Sequence, residues 1–170
     1  MLKKKFISTA REVINLEVKA LQNLKKTINN SFNLAVSEII KCQSKVILCG
    51  VGKSGIIASK IAATLASVGT PSFSISAGEA SHGDLGMISK KDILILLSNS
   101  GETSELKNII QYAKRNKILL IGIVSKKDSV LYKASDIKII IPKVLEAGGI
   151  VPTASTTAQL ALGDALAIST

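Results

Sequence analysis

From Lys45 onward, short strand-like segments alternate with stretches of helical periodicity, and few folds accept that alternation. The strand-like segments cover residues 46–49, 72–75, 93–97, 119–124 and 137–141. Each is too short for a buried helix, and the unbroken Ile93-Leu94-Ile95-Leu96-Leu97 suits a parallel strand covered on both faces. Helical patterns occupy 56–68, 104–115 and 129–134, and a last one starts near Ser155 and runs to Thr170. Five strands separated by helices predict an α/β fold, a three-layer α/β/α sandwich on a mostly parallel sheet. With the flavodoxin-like order 2-1-3-4-5, a ligand would bind beyond the carboxyl ends of the strands, between the first and the third. Residues 1–44 read as two amphipathic helices, 5–26 and 32–42, leading into a domain over 45–170, the whole forming one structural unit.

Aromatic residues make up 3% of the chain and Trp is absent, so the core has to be built from Ile, Leu, Val and Ala. The longest apolar runs, 93–97 and 118–124, are far short of a membrane span. The opening Met1-Leu2-Lys3-Lys4-Lys5-Phe6 is basic but leads into no continuous apolar segment and no cleavage site of a signal peptide. The expectation is a soluble, cytoplasmic protein without a membrane partner. A net charge of +10 is carried by scattered lysines, with Arg only at 11 and 115. Dispersed lysines with few rings for base stacking argue against a nucleic-acid partner. Cys42 and Cys49 show neither CxxC spacing nor a Cys/His cluster, so they are expected as buried free thiols rather than a disulfide or a metal site.

The segment richest in chemistry is Ser98-Asn99-Ser100-Gly101-Glu102-Thr103, which follows the third strand and opens a helix. The first N–H groups of a helix lack intrahelical partners and carry partial positive charge, so an anion fits there. Gly101 allows close approach, and Ser98, Ser100 and Thr103 add hydroxyls, whereas a plain N-cap at Thr103 or Ser104 would need only one. The segment reads as a phosphate cradle.

After the first strand, Gly50-Val51-Gly52-Lys53-Ser54-Gly55 fits G-x-G-x-x-G, but the second strand ends Ser74-Ile75-Ser76 without an acidic residue for a ribose. Walker A spacing also fails, and a nucleotide is the weaker reading. What remains is a glycine turn that sets Lys53 and Ser54 at a helix start, where a cation can hold a phosphate or a developing oxyanion. His82, the single histidine, sits in Gly78-Glu79-Ala80-Ser81-His82-Gly83-Asp84-Leu85-Gly86 on the ligand side and titrates near neutrality. Glu105 and Glu146 are candidate general bases provided that burial or a neighbour raises their pKa. Thr153-Ala154-Ser155-Thr156-Thr157 opens the last helix, aiming Ser155 and Thr156 at the same end of the sheet. Two hydroxyl-rich helix ends suggest a small phosphorylated ligand.

These segments, with Gly69-Thr70-Pro71-Ser72-Phe73 between them and Gly163-Asp164-Ala165-Leu166 after them, resemble a SIS (sugar isomerase) domain from about residue 10 to the end. The His82-Gly83-Asp84-Leu85-Gly86 stretch narrows the resemblance to the D-arabinose 5-phosphate isomerase family. The resemblance implies interconversion of D-arabinose 5-phosphate and D-ribulose 5-phosphate through an enediol, in the supply of the lipopolysaccharide sugar Kdo. It implies no metal and no redox cofactor, and a homotetramer with sites at subunit interfaces. Lys53, Glu105 and Glu146 match the family's active-site positions and His82 one that assists near the sugar, with the choice of basic glutamate left open. The family continues with a His-Pro-Gly-Gly segment whose histidine joins the site, and usually with a pair of CBS domains. The present sequence reaches Thr170 ahead of both, so the alternative is a non-catalytic phosphosugar-binding module, a truncated enzyme or a sensor.

Overall fold

The computed structural model describes residues 2–80 and 83–170, with residues 2–4 as backbone only. Two helices, α1 (Leu2–Thr27) and α2 (Asn30–Lys41), precede β1 (Val46–Gly50), α3 (Lys53–Ser67), β2 (Ser72–Ser76) and a one-turn α4 (Ala77–Ala80). Then follow β3 (Ile93–Leu97), α5 (Leu106–Asn116), β4 (Leu119–Val124), α6 (Val130–Ala134), β5 (Ile137–Ile140) and α7 (Ala154–Ile168). The sheet order is β2-β1-β3-β4-β5, and every strand pair is parallel, so the expectation of a mostly parallel sheet is exceeded. Each strand returns to the same edge through a crossover, which is the only way to lay neighbours parallel.

Period-two alternation divides the strands between two cores. Val46, Leu48, Ile93, Ile95, Leu97, Ile121 and Ile123 face α1, α2, α3 and α7. Ile47, Cys49, Leu94, Leu96, Leu120 and Val124 face α4, α5 and α6. β1 and β3 are buried along their whole length, as the central strands of such a sandwich must be. The Cys49 thiol is buried and its pKa is pushed up to about 12 by that burial, so it is an inert core group, while Cys42 is only half-buried. Among the described residues no helix is long and apolar enough to cross a membrane.

Element ends depart from the sequence pattern for local reasons. α3 starts at Lys53 instead of 56, because Gly52 turns the chain at φ 58° and its carbonyl already accepts from the amides of Gly55 and Ile56. α5 starts at Leu106 instead of 104, because the serines before it bond their own backbone and hold the chain out of the helix. α7 closes at Ile168, not at Thr170.

The placement of α7 governs everything near the ligand edge. β5 lies at one edge of the sheet, yet α7 crosses back to pack on α1 and α3. The crossing is possible because residue 163 is glycine, where a methyl would collide with Ile61 of α3. Lys60 and Asp164 form an ion pair beside that contact. Ile61 stands eight residues from Lys53 and Gly163 nine from Ala154, about 12 and 13.5 Å along their helices. The two helices therefore begin at nearly the same height.

At the opposite edge Asp92 ties three segments together. Its carboxylate accepts from Ser44 Oγ, from the Lys45 amide at 3.2 Å and from the Ser89 amide at 2.7 Å. Burial pushes its pKa up, but the hydrogen bonds from Ser44 and Ser89 and the nearby Lys45 ammonium outweigh this, and it lies below the ordinary value. A depressed carboxyl contributes stability above its unfolded pKa and loses it as pH falls through the folded one.

Two stability outcomes are expected. Gly163→Val should cost about 1–3 kcal/mol in urea denaturation, by overpacking the α3–α7 contact. Asp92→Ala should cost about 1–3 kcal/mol at pH 7, with the deficit shrinking as the pH is lowered below the ordinary aspartate range.

Candidate functional site

The first wall of the site is the turn between β1 and α3. Strand end and helix start nearly touch: a Cβ on Gly50 would lie 2.7 Å from the Ser54 carbonyl carbon, and one on Gly55 2.8 Å from the Gly50 oxygen. Glycine at both positions lets α3 rise directly from β1. Lys53 is thereby the first residue of α3, with an exposed side chain, and Ser54 next to it is half-buried. The amides of Lys53 and Ser54 have no acceptor among the described residues, as expected of a helix start. A cleft of about 400 Å³ opens on the β2 side of this turn, lined by Gly50, Gly52, Gly55, Ile56, Ser59 and Ser74.

The second wall is the loop after β3. Ser98 is buried, and its hydroxyl accepts from the Gly101 amide at 2.9 Å and pairs with the Thr103 hydroxyl at 2.8 Å. Ser100 Oγ accepts from the Glu102 amide at 3.2 Å, and Glu102 Oε1 accepts from the Val130 amide at 3.0 Å, tethering the loop to α6. Gly101 has φ 68°, and a Cβ there would strike Ser129. These hydroxyls thus shape the loop first. What the loop leaves open is its backbone: the amides of Thr103, Ser104 and Glu105 have no acceptor among the described residues. Glu105, at the N-cap position, is exposed, and its Oε2 accepts from Ser104 Oγ at 2.7 Å, which lowers its pKa.

The third wall is the start of α7. Glu146 is half-buried, and its Oε2 accepts from the Thr153 amide at 2.8 Å, from Thr153 Oγ1 at 3.3 Å and from the Ser155 amide at 3.3 Å. Thr153 Oγ1 also accepts from the Ala147 amide at 3.0 Å, closing the loop on itself. Burial pushes the Glu146 pKa up, but the Ser155 side chain, the amides of Thr153 and Ser155 and the Thr153 hydroxyl hold it below the ordinary glutamate value. The anion seat at the head of α7 is thus filled by the chain's own carboxylate. Ser155 is buried behind it, and Thr156 Oγ1 donates to the Thr153 carbonyl.

The structure therefore places Lys53, Ser54, Ser98, Ser100, Gly101, Thr103, Glu105, Glu146, Ser155 and Thr156 at the carboxyl edge of the sheet. The condition attached to the two glutamates is not met: neighbouring donors lower both pKa values. His82 lies outside the described residues.

Residues 39–169 match the SIS domain family. The chain belongs to that family. Among its relatives are the arabinose 5-phosphate isomerase KdsD of Yersinia pestis, 48% identical over 166 residues, and that of Escherichia coli K12, 44% identical over 166 residues. Both alignments cover 96% of this SIS chain and 51% of the relative, so the chain spans about half the length of these proteins. The solved structure of E. coli CFT073 c3406 in complex with arabinose 5-phosphate superimposes with a TM-score of 0.94 at 40% identity, covering 99% of this chain and 90% of that one.

Two polar groups in this SIS domain escape the motif reading. Asn99 Oδ1 and both heteroatoms of Gln159 are buried without a hydrogen-bond partner among the described residues. Gln159 could have been noticed as a polar residue beside the apolar stripe Ala158-Leu162-Leu166 of α7.

Replacing Thr153 by Val removes one donor to Glu146 and the acceptor of the Ala147 amide. The Glu146 carboxyl should then titrate at higher pH than in the parent chain, as read by carbon-13 NMR of labelled glutamate.

Proposed function

We propose that this SIS domain interconverts D-arabinose 5-phosphate and D-ribulose 5-phosphate through an enediol. The observation that carries the reading is the convergence of the helix starts of α3, α5 and α7, bearing Lys53, Glu105 and Glu146, on one edge of the sheet. The names of the KdsD relatives and the arabinose 5-phosphate bound by c3406 support the substrate.

The open amides of Thr103, Ser104 and Glu105, framed by Ser98, Ser100, Gly101 and Thr103, suit the phosphate. Ser54, Ser155 and Thr156 lie on the flanking helix starts. In the reaction a carboxylate takes the proton from C2 of the open-chain aldose, the C2 electron pair forms the C1–C2 double bond, and the carbonyl oxygen becomes an enediol oxygen. Lys53 stabilises the charge developing on that oxygen, and the proton returns to C1 as C2 becomes the ketone. Of the two carboxylates Glu146 suits the base better, being partly sheltered, whereas Glu105 stands in solvent. His82 would assist proton movement between the oxygens. A cytoplasmic homotetramer with sites at subunit interfaces completes the reading, with α1 as a contact: Phe6, Ile7, Ile14 and Val18 are exposed on it.

One observation favours a second reading, a phosphosugar-binding module without turnover. Both carboxyls are held ionised by donors, so each is a weak base until those donors are withdrawn.

The deciding experiment is turnover of D-arabinose 5-phosphate by the 170-residue chain in deuterated water. The isomerase reading expects ribulose 5-phosphate with deuterium at C1, and a loss of about 10²–10³-fold in kcat for Lys53→Ala. Binding in a thermal-shift assay with no product would select the binding module instead.

A further inference from the structure

We infer that Glu102 is a positioning residue of this site: bonded to the first amide of α6, its carboxylate fixes the turn ahead of α5 and is kept off the amides that the turn leaves open. The inference rests on the proposed reading for its ligand, a phosphate group, but not on turnover.

The loop after β3 is gripped at successive points by the segment after β4. The Asn99 carbonyl accepts from the Ser125 amide at 3.0 Å and from Ser125 Oγ at 2.7 Å. The Gly101 carbonyl accepts from the Leu131 amide at 3.0 Å, and Glu102 Oε1 accepts from the Val130 amide at 3.0 Å. Gly101 and Ser129 lie so close that a Cβ at 101 would strike the Ser129 side chain. Past Glu102 the grip ends. Thr103 is paired only with the Ser98 hydroxyl of its own loop, and the amides of Thr103, Ser104 and Glu105 have no acceptor among the described residues. Glu102 is thus the last attachment before the open amides.

The first amides of α6 all have partners within the chain. Val130 donates to Glu102, Leu131 to the Gly101 carbonyl and Tyr132 to Ser129 Oγ at 3.4 Å. A helix start attracts a carboxylate, and this one holds a neighbouring loop by it.

The bond does little for the core. Glu102 and Val130 are both exposed, so water would satisfy either group and the bond adds little to global stability. What it decides is where a carboxylate sits. A carboxylate just ahead of a helix takes the helix's free amides, and this chain shows the case at α7, where Glu146 accepts from the amides of Thr153 and Ser155. Glu102 directly precedes the open amides of α5 and would fill them in the same way if released. By holding Glu102, α6 removes a competitor that an incoming phosphate would otherwise have to displace.

The test breaks the bond from both sides. Val130→Pro removes the donor and suits its position: proline is favoured as the first residue of a helix, and Ser129, at φ −69° and ψ 157°, already has the extended conformation that a following proline requires. It frees the Glu102 carboxylate to swing onto α5. Glu102→Ala removes tether and competitor together, and Glu102→Gln keeps an acceptor for the Val130 amide. Binding of inorganic phosphate and of D-arabinose 5-phosphate is read from the nitrogen-15 shifts of the amides of Thr103, Ser104 and Glu105, beside thermal melting and steady-state kinetics. Val130→Pro is expected to weaken both ligands about tenfold, Glu102→Ala about threefold and Glu102→Gln less than about twofold, with the combined Val130→Pro and Glu102→Ala chain no weaker than Glu102→Ala alone. In turnover the loss falls on KM, with kcat within about twofold, and melting temperatures stay at the parent's. Unchanged binding in Val130→Pro overturns the inference, as does a combined variant weaker than either single one, since the two groups would then act independently. Binding that falls only in step with the melting temperature also overturns it, because a merely structural group behaves so. A parent chain in which neither anion moves the three amides does the same. Binding in a parent chain without turnover upholds the role of Glu102 while sinking the isomerase reading.

Discussion

The contact between Gly163 and Ile61 sets the geometry on which the ligand edge depends. It is a backbone-to-side-chain approach that any larger residue at 163 would push apart, and it lies at nearly equal distances from the two helix starts it aligns. It lets α7, arriving from a strand at the far edge of the sheet, close on α3 around the buried Leu162, Leu166, Ala62 and Leu65. With it, Glu146 and Lys53, ninety-three positions apart in the chain, belong to one edge. The Lys60–Asp164 pair next to the contact is half-exposed and adds direction more than stability.

The electrostatics of the edge are those of helix starts supplied with internal partners. Glu146 fills the head of α7 and Ser104 holds Glu105, while the head of α5 keeps three amides open. An anion brought to this edge would find the open amides of α5 without competition, whereas at α7 it would have to displace a carboxylate. The two hydroxyl-rich helix ends, which look alike as strings of Ser and Thr, thereby differ: one leaves its amides open and the other already holds a carboxylate.

How much of this could be read from the residues varies by element. The central strands were legible because continuous apolar runs of four to six residues have few other uses, the edge strands β2 and β5 because their apolar residues sit between helical segments, and the order followed from the doubly wound pattern. The hydroxyl loop was legible as a strand-to-helix turn, but the use of Ser98 to brace Gly101 and of Ser100 to bond Glu102 was not, since Ser bonds its own backbone as readily as a ligand. The condition placed on Glu105 and Glu146 failed for a related reason. Whether a carboxyl is raised or lowered depends on donors that approach it in space, and those of Glu146 come from residues seven to nine positions on.

Periodicity and composition were enough to specify layers, strand direction and the edge at which the polar loops gather, because each of these follows from short-range rules of burial and crossover. The level of α7, the lowered pKa of Glu146 and the unpaired amide of Gln159 belong to the folded molecule alone. They arise where distant segments touch, and a contact between residues more than a hundred positions apart, such as Ile61 and Gly163, leaves no periodic trace in either segment.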